Sequence, residues 1–158
     1  MRKIITVIIA GLLAACKSHP TGEPFPSFDI LLIDSATRLN TASIKEGNPI
    51  VLLYFSPDCE HCQKETEAIL RHMPSMKEAH FYFVTNDPFD KLKTFNGYYK
   101  IDNYPNVTLG WDDRFFLLRY FKGIYPPYLV LYDRHKHQKA AYQGDTSVDT
   151  IISFINRL

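Results

Sequence analysis

The feature that most constrains the fold is a short apolar run that leads directly into two closely spaced cysteines. Residues 49–55 (PIVLLYF) are rich in branched and aromatic side chains, which is typical of a strand buried on both faces. Pro57 ends this run. From residue 59 to residue 73 the apolar side chains recur with helical spacing, so we predict an amphipathic helix there. The pattern therefore places Cys59 and Cys62 where a buried strand meets the start of a helix.

Two cysteines at this spacing have three possible explanations: a redox dithiol, half of a metal site, or two unrelated buried thiols. A structural zinc site needs four ligands, and the chain has no second cysteine pair. Free backbone N–H groups and the helix dipole at a helix N-terminus favour the thiolate, which is the reactive form. Cys59 is predicted to be exposed there, and Cys62 to lie one turn deeper on the buried face. This asymmetry suits an attacking cysteine and a resolving cysteine.

The N-terminus has the pattern of a targeting segment. A positively charged start precedes an apolar run at residues 4–13, which is too short to span a bilayer comfortably. Residues 13–16 (LAAC) resemble the signal of bacterial lipoproteins, in which cleavage before the cysteine follows its lipidation. The alternative is an ordinary secretory signal with an incidental cysteine. The resemblance implies that residues 1–15 are removed, that lipids on Cys16 anchor the chain, and that the compartment allows disulfides to persist.

Residues 16–27 contain several prolines and no apolar periodicity, so we interpret them as a tether. We expect one folded domain over residues 28–158, since we find no internal repeat and no second domain boundary. Apolar residues make up 46% of the chain, which is a globular composition. The formal net charge of +1 gives no indication of nucleic-acid binding.

The remaining patterns predict alternating strands and helices. We predict strands at 30–34, 81–85, 106–111, 128–133 and 139–143. We predict helices at 87–99, 113–121 and 147–158. Asp87 and Pro88 are expected to open the first of these helices, and Thr146 or Ser147 to cap the last. Such an order predicts an α/β sandwich with a central mixed sheet.

The element order and two motifs resemble the thioredoxin superfamily, and within it the TlpA-like or redoxin-type thiol-disulfide oxidoreductases of the bacterial envelope. The first motif is residues 59–62 (CEHC), after a strand and a proline. The second is Pro127 followed by the predicted strand 128–133 (YLVLYD). The resemblance covers residues 28–158. It implies a thioredoxin-like sandwich, a cis peptide bond before Pro127, and pairing of the Pro127 backbone with a substrate strand beside the disulfide.

The sequence also departs from that family. Asp58 stands where many relatives have tryptophan, and Leu53 stands where thioredoxins keep a buried carboxylate, so the proton acceptor for Cys62 is left open. Glu60 is a candidate, because the reductants that serve cytochrome c maturation carry glutamate there; the alternative is a solvated glutamate. His61 occupies a slot in which strongly oxidising relatives use histidine to stabilise the thiolate. Nearby negative charge from Asp58 and Glu60 acts in the opposite direction.

The leading hypothesis is a lipid-anchored thiol-disulfide oxidoreductase that faces the periplasm. Cys59 would attack a protein disulfide, Cys62 would resolve the mixed disulfide, and no cofactor would be needed. The overall resemblance favours a reductase, which would need electrons from a membrane dithiol donor. The alternative is a copper-binding metallochaperone module of thioredoxin-like fold, since soft thiolates suit Cu(I). The copper-delivery relatives usually have three residues between their cysteines, whereas this chain has two. A third possibility is a catalytically silent scaffold, against which the two intact cysteines argue.

Overall fold

The computed structural model describes residues 22–158, so the expected signal segment and Cys16 lie outside the described residues. The strands are β1 (Asp29–Leu32), β2 (Arg38–Asn40), β3 (Ile50–Tyr54), β4 (His80–Thr85), β5 (Val107–Trp111), β6 (Tyr128–Tyr132) and β7 (Gln138–Gln143). The helices are α1 (Glu60–His72), α2 (Phe89–Tyr99), α3 (Phe116–Phe121) and α4 (Val148–Ile155). No helix in this part of the chain combines the length and the apolarity that crossing a membrane requires.

The seven strands form one mixed sheet in the order β2-β1-β5-β4-β3-β6-β7. The central strands β3, β4 and β5 run parallel, and the remaining pairs are antiparallel. All five residues of β3 are buried, as the unbroken apolar run predicts. Because successive side chains of a strand point to opposite faces, β3 supplies both hydrophobic clusters. Val51 and Leu53 join the cluster with α1, α2 and α4, and Ile50 and Leu52 join the cluster with α3. The predicted α/β sandwich is confirmed.

Among the described glycines, Gly110 has the closest neighbouring side chain, at the point where β5 pairs with β1. A Cβ atom at Gly110 would lie 2.5 Å from Ile30 Cδ1 and 2.9 Å from Ile30 Cβ. Ile30 is completely buried, so its side chain has little room to move. We therefore expect Gly110→Ala to lower the free energy of unfolding by about 1–3 kcal/mol.

Gly97→Ala is the matched control for this substitution. Gly97 is an exposed residue within α2, and a Cβ there meets no atom within 4 Å. Alanine at a helical glycine is expected to raise the free energy of unfolding by about 0.5–1 kcal/mol. Urea denaturation of both variants measures the two effects, and equal stability of the two variants would contradict the predicted clash.

Several predicted boundaries differ from the structure. The short strand β2 was not predicted, because only one of its three residues is even partly buried and no alternating pattern results. Asp34 forms the turn that leads into β2, since its Oδ1 accepts hydrogen bonds from the N–H groups of Ala36 and Thr37. The last helix has the predicted Ser147 cap, but it ends at Ile155 rather than at the C-terminus.

Two aspartates take other roles than those predicted. Asp87 does not cap α2, because its carboxylate accepts a hydrogen bond from the Ser56 hydroxyl at 2.5 Å. The helix predicted over 113–121 begins instead at Phe116. The buried Asp112 carboxylate accepts from the Phe116 and Leu117 N–H groups, each at 2.9 Å, and these bonds fix where α3 starts.

The folded domain begins upstream of Phe28, where we expected its start. The Gly22 N–H donates to the Gln138 carbonyl at 2.7 Å, and the Phe25 N–H donates to the Lys136 carbonyl at 2.8 Å. The Phe25 ring is buried against other aromatic rings, which draws the end of the predicted tether onto the domain.

The chain enters the domain at the end of the sheet opposite to the cysteines. Residues 22–25 pair with the turn between β6 and β7, next to residue 136. At the other end of β6, Tyr128 pairs with Tyr54, which is the last residue of β3 before the cysteine turn. The length of β6 therefore separates the entry point from the cysteines.

Candidate active site

Cys59 is the N-cap residue of α1. Its Sγ accepts a hydrogen bond from the Cys62 N–H at 3.4 Å, and the Cys59 carbonyl accepts from the Gln63 N–H at 3.0 Å. Cys59 is partly exposed, whereas Cys62 is completely buried. The predicted difference in exposure is confirmed. An N–H donor aimed at the Cys59 sulfur at a helix N-terminus favours its anionic form.

The Cys62 thiol lies in the core cluster between the sheet and α1. Burial raises the pKa of the Cys62 thiol above its ordinary value, and the nearby Cys59 and Glu65 groups raise that pKa further. A hydrogen bond with the Ser56 backbone acts in the opposite direction. Cys62 therefore stays protonated until a base removes its proton.

Glu65 is the residue that the sequence analysis missed. It lies on the inner face of α1, one turn beyond Cys62, and only 5% of it is exposed. Neither carboxyl oxygen has a hydrogen-bond partner among the described residues. Burial raises the pKa of Glu65 to about 8, and the charge of Asp145 contributes to that rise. The neighbouring Thr146 lowers the pKa of Glu65, but by less than burial raises it. No hydrogen bond of normal geometry joins Thr146 to the carboxyl group.

Leu53 on β3 offers no carboxyl group to the cysteines, whereas Glu65 on α1 lies near enough to Cys62 for its charge to raise the pKa of that thiol. Leu53 on β3 is completely buried and belongs to the same core cluster as Cys62. The carboxyl group near the cysteines comes from α1 instead, because Glu65 lies three residues after Cys62 on that helix. The helical spacing that put Cys62 and Thr66 on the inner face also puts Glu65 there, so this signal was present in the sequence. A buried carboxyl group with a raised pKa beside a cysteine can accept a proton at neutral pH.

The two predicted tuning residues are exposed and pair with other charged side chains. The Glu60 carboxylate pairs with Lys64 at 2.6 Å on the exposed side of α1. The His61 imidazole pairs with Asp145, with 2.9 Å between Nδ1 and Oδ2. No hydrogen bond joins either side chain to a cysteine within residues 22–158. The redox-tuning roles of Glu60 and His61 remain predictions.

The Pro126–Pro127 peptide bond is cis, as expected. Pro127 directly precedes β6, and its carbonyl accepts hydrogen bonds from the Gly144 N–H at 2.9 Å and the Gln143 side chain at 3.1 Å. The pairing of β6 with β3 brings this loop to the same end of the sheet as Cys59. The contact between Pro127 and a substrate strand remains a prediction.

The described residues contain no group of three or more histidine, cysteine, aspartate or glutamate side chains arranged to hold a metal ion.

The comparisons with known proteins support the architecture. The sequence matches no family model and no curated protein. Solved structures do match. The fold is thioredoxin-like. A secreted Mycobacterium tuberculosis disulfide oxidoreductase homologous to E. coli DsbE has a TM-score of 0.69 and 18% identity, over 83% of this chain and 96% of that chain.

Two further structures show the same fold. The thioredoxin domain of a thiol-disulfide oxidoreductase from Bacteroides vulgatus has a TM-score of 0.71 and 23% identity, over 88% of this chain and all (100%) of that chain. Peroxidoxin BcpB from Mycobacterium tuberculosis has a TM-score of 0.73 and 15% identity, over 87% of this chain and 97% of that chain. Identities this low show similarity of fold, so the function has to be argued from the site.

Proposed function

We propose that this protein is a thiol-disulfide oxidoreductase that reduces disulfide bonds in other proteins. The observation that carries this proposal is the pairing of a partly exposed Cys59 at a helix start with a buried Cys62 and a buried, unpartnered Glu65. The structural neighbours include thiol-disulfide oxidoreductases, which supports a redox function for a dithiol in this position of the fold.

The first step uses the exposed sulfur. The Cys59 thiolate attacks one sulfur of a substrate disulfide, a bond forms between Cys59 and that sulfur, and the other substrate sulfur leaves as a thiolate. The Cys62 N–H, 3.4 Å from the Cys59 sulfur, helps to hold the anion before the attack. The leaving thiolate takes a proton from solvent.

The second step uses the buried pair. Glu65 accepts the proton of the Cys62 thiol, and the Cys62 thiolate attacks the Cys59 sulfur. The disulfide between Cys59 and Cys62 forms as the second substrate thiolate leaves. Two electrons have then passed from the dithiol to the substrate, and a membrane dithiol donor returns the protein to its reduced form. No cofactor takes part.

The reduction potential of the Cys59–Cys62 pair tests the proposed direction. We expect a value near that of thioredoxin, about −270 mV, for a reductase, whereas a value near about −120 mV would show an oxidase. The detergent-solubilised protein is equilibrated with a dithiol buffer, and the two redox forms are separated after alkylation. The Cys59→Ser/Cys62→Ser double variant is the control for other thiols. A pair that forms no disulfide under oxidising conditions would refute the proposal.

We also propose that lipids on Cys16 anchor the protein in the bacterial envelope with the domain in the periplasm. The support is the LAAC motif at residues 13–16 and the entry of the chain at the end of the sheet opposite to the cysteines. An anchor at that end would present the dithiol away from the membrane surface.

Cys16→Ser is expected to abolish membrane association, because stable anchoring of such a domain requires more than one acyl chain. The protein should move from the membrane fraction to the soluble fraction, and its intact mass should show no lipid. Arg119→Gln, a substitution on the surface of the domain, serves as a control and should leave the protein in the membrane. An unmodified Cys16 in the wild-type envelope protein would exclude the anchor.

A further inference from the structure

A cleft of about 510 Å³ lies between α1 and α2, beside the predicted nucleophile. Pro57 and Asp58, directly before Cys59, form one end of it. The cleft then extends along both helices as far as Glu67 and Tyr98. From Cys59 to Glu67 the helix rises about 12 Å, which a few residues of extended chain span. A substrate segment joined to Cys59 can therefore place a neighbouring side chain in this cleft.

The charges around the cleft are mostly negative. Asp58, Glu67 and Asp90 contribute three carboxylates, and Lys91 contributes the one cation of the lining. Lys91 forms an ion pair with Asp58, so its charge is already compensated. Glu67 and Asp90 have no ion-pair partner within residues 22–158. The lining therefore keeps two uncompensated carboxylates on opposite sides, one on each helix.

Two tyrosines complete the far end of the cleft. Tyr98 is 75% exposed, and its ring meets the Tyr99 ring edge-on with 4.8 Å between the centroids. The Tyr99 hydroxyl donates a weak hydrogen bond to Glu67 Oε1 at 3.4 Å. An exposed aromatic face beside a carboxylate that has no ion-pair partner in the described part of the chain attracts a flat cation, because the ring face is electron-rich.

We propose that this cleft binds an arginine side chain of the substrate protein, near the substrate cysteine that reacts with Cys59. This inference rests on the proposed oxidoreductase function. A guanidinium group is flat enough to stack on Tyr98, and its several donors can bond to the Glu67 carboxylate at the same end of the cleft, while Asp90 adds negative charge from α2. A lysine ammonium is a compact, strongly hydrated ion and gains less from such a site.

The test measures how fast Cys59 forms mixed disulfides with synthetic peptides. Each peptide carries one cysteine activated with 5-thio-2-nitrobenzoate, whose release gives the rate by absorbance. Arginine, lysine, glutamine or glutamate is placed at each position from four residues before the cysteine to four residues after it. The Cys62→Ser protein is used so that only the first step is observed.

We expect arginine at one position to raise the second-order rate constant about tenfold over glutamine. The increase should shrink when NaCl is raised from about 50 mM to about 500 mM, because salt screens exposed charges. The rate increase for arginine should disappear in the double variant Glu67→Gln/Asp90→Asn and become smaller in Tyr98→Ala. All three side chains are exposed, so these substitutions should not disturb the fold.

Glu46→Gln/Glu78→Gln is the matched control. It also removes two negative charges, but from carboxylates outside the cleft that pair with Arg134 and His135, and it should keep the preference for arginine. Equal rates for arginine and glutamine at every position would overturn the inference, and so would a lysine peptide as fast as the arginine peptide. Failure of Cys59 to react with any peptide would instead overturn the proposed function.

Discussion

The Cys62→Ser variant is expected to accumulate mixed disulfides through Cys59, whereas Cys59→Ser is expected to accumulate almost none. Cys59 is partly exposed at the start of α1, so a substrate disulfide can reach its sulfur. Cys62 is completely buried and its thiol pKa is raised, so it cannot easily attack an external disulfide. Without Cys62 the first step still occurs, but the resolving step has no nucleophile.

Each single variant should lower turnover of a protein disulfide to the background rate, a loss of at least about 10³-fold. Non-reducing gels of the envelope fraction, followed by mass spectrometry, identify which cysteine carries the trapped partner. The double cysteine variant provides the blank. Trapping through Cys62 in Cys59→Ser, at a yield equal to that of the other variant, would reverse the assignment of the two cysteines.

Glu65→Gln is expected to slow the resolving step about 10²-fold, within the usual range for a general base. Glutamine keeps the shape of the side chain but cannot accept the Cys62 proton. The pKa of Glu65 is raised to about 8, so the wild-type rate should rise with pH up to about 8 as the carboxylate forms. The variant should lose this rise and respond only to direct deprotonation of Cys62 at higher pH.

A preformed mixed disulfide between Cys59 and a fluorescent peptide isolates this step, because peptide release reports the attack by Cys62. Glu60→Gln is the matched control on the same helix, since its carboxylate is exposed and paired with Lys64. That control should keep both the rate and the pH profile of the wild type. A wild-type profile retained in Glu65→Gln would exclude Glu65 as the proton acceptor.

The same substitution has an independent consequence for stability. A carboxyl group whose pKa is raised from 4.5 to about 8 on folding binds its proton more tightly in the native state than in the unfolded state. The free energy of unfolding should therefore fall as pH rises from about 4.5 to about 8, by a few kcal/mol. Glu65→Gln should remove this slope and make the protein more stable than the wild type at about pH 8. Urea denaturation at several pH values measures this slope for both proteins. The same dependence of the free energy of unfolding on pH in the wild type and in Glu65→Gln would contradict the burial of a titrating Glu65.

The sequence was sufficient to predict features that depend on local order. The run at residues 49–55 has to be buried on both faces because every side chain in it is apolar or aromatic apart from the leading proline. The change from strand to helical spacing after Pro57 locates Cys59 at a helix start and Cys62 on its inner face. The element order then suffices for the sandwich, whereas the cis bond before Pro127 was expected only from the resemblance to thioredoxin-like proteins. The strand and helix patterns repeat along the chain, and the two cysteines lie three residues apart, so these features depend on local order.

Only the tertiary structure decided which charged side chains are buried near the cysteines and which are exposed. His61 pairs with Asp145, which lies 84 residues away along the chain, so the direction of its ring depends on the loop between β7 and α4. Glu60 and Glu65 are both glutamates on the same helix, and the family resemblance suggested Glu60, although the helical spacing already placed Glu65 on the inner face. Packing of α1 against the sheet and the Thr146 loop exposes Glu60 and buries Glu65. A carboxyl group gains a raised pKa through the loss of surrounding water, and that loss is set by which elements cover it in the folded domain.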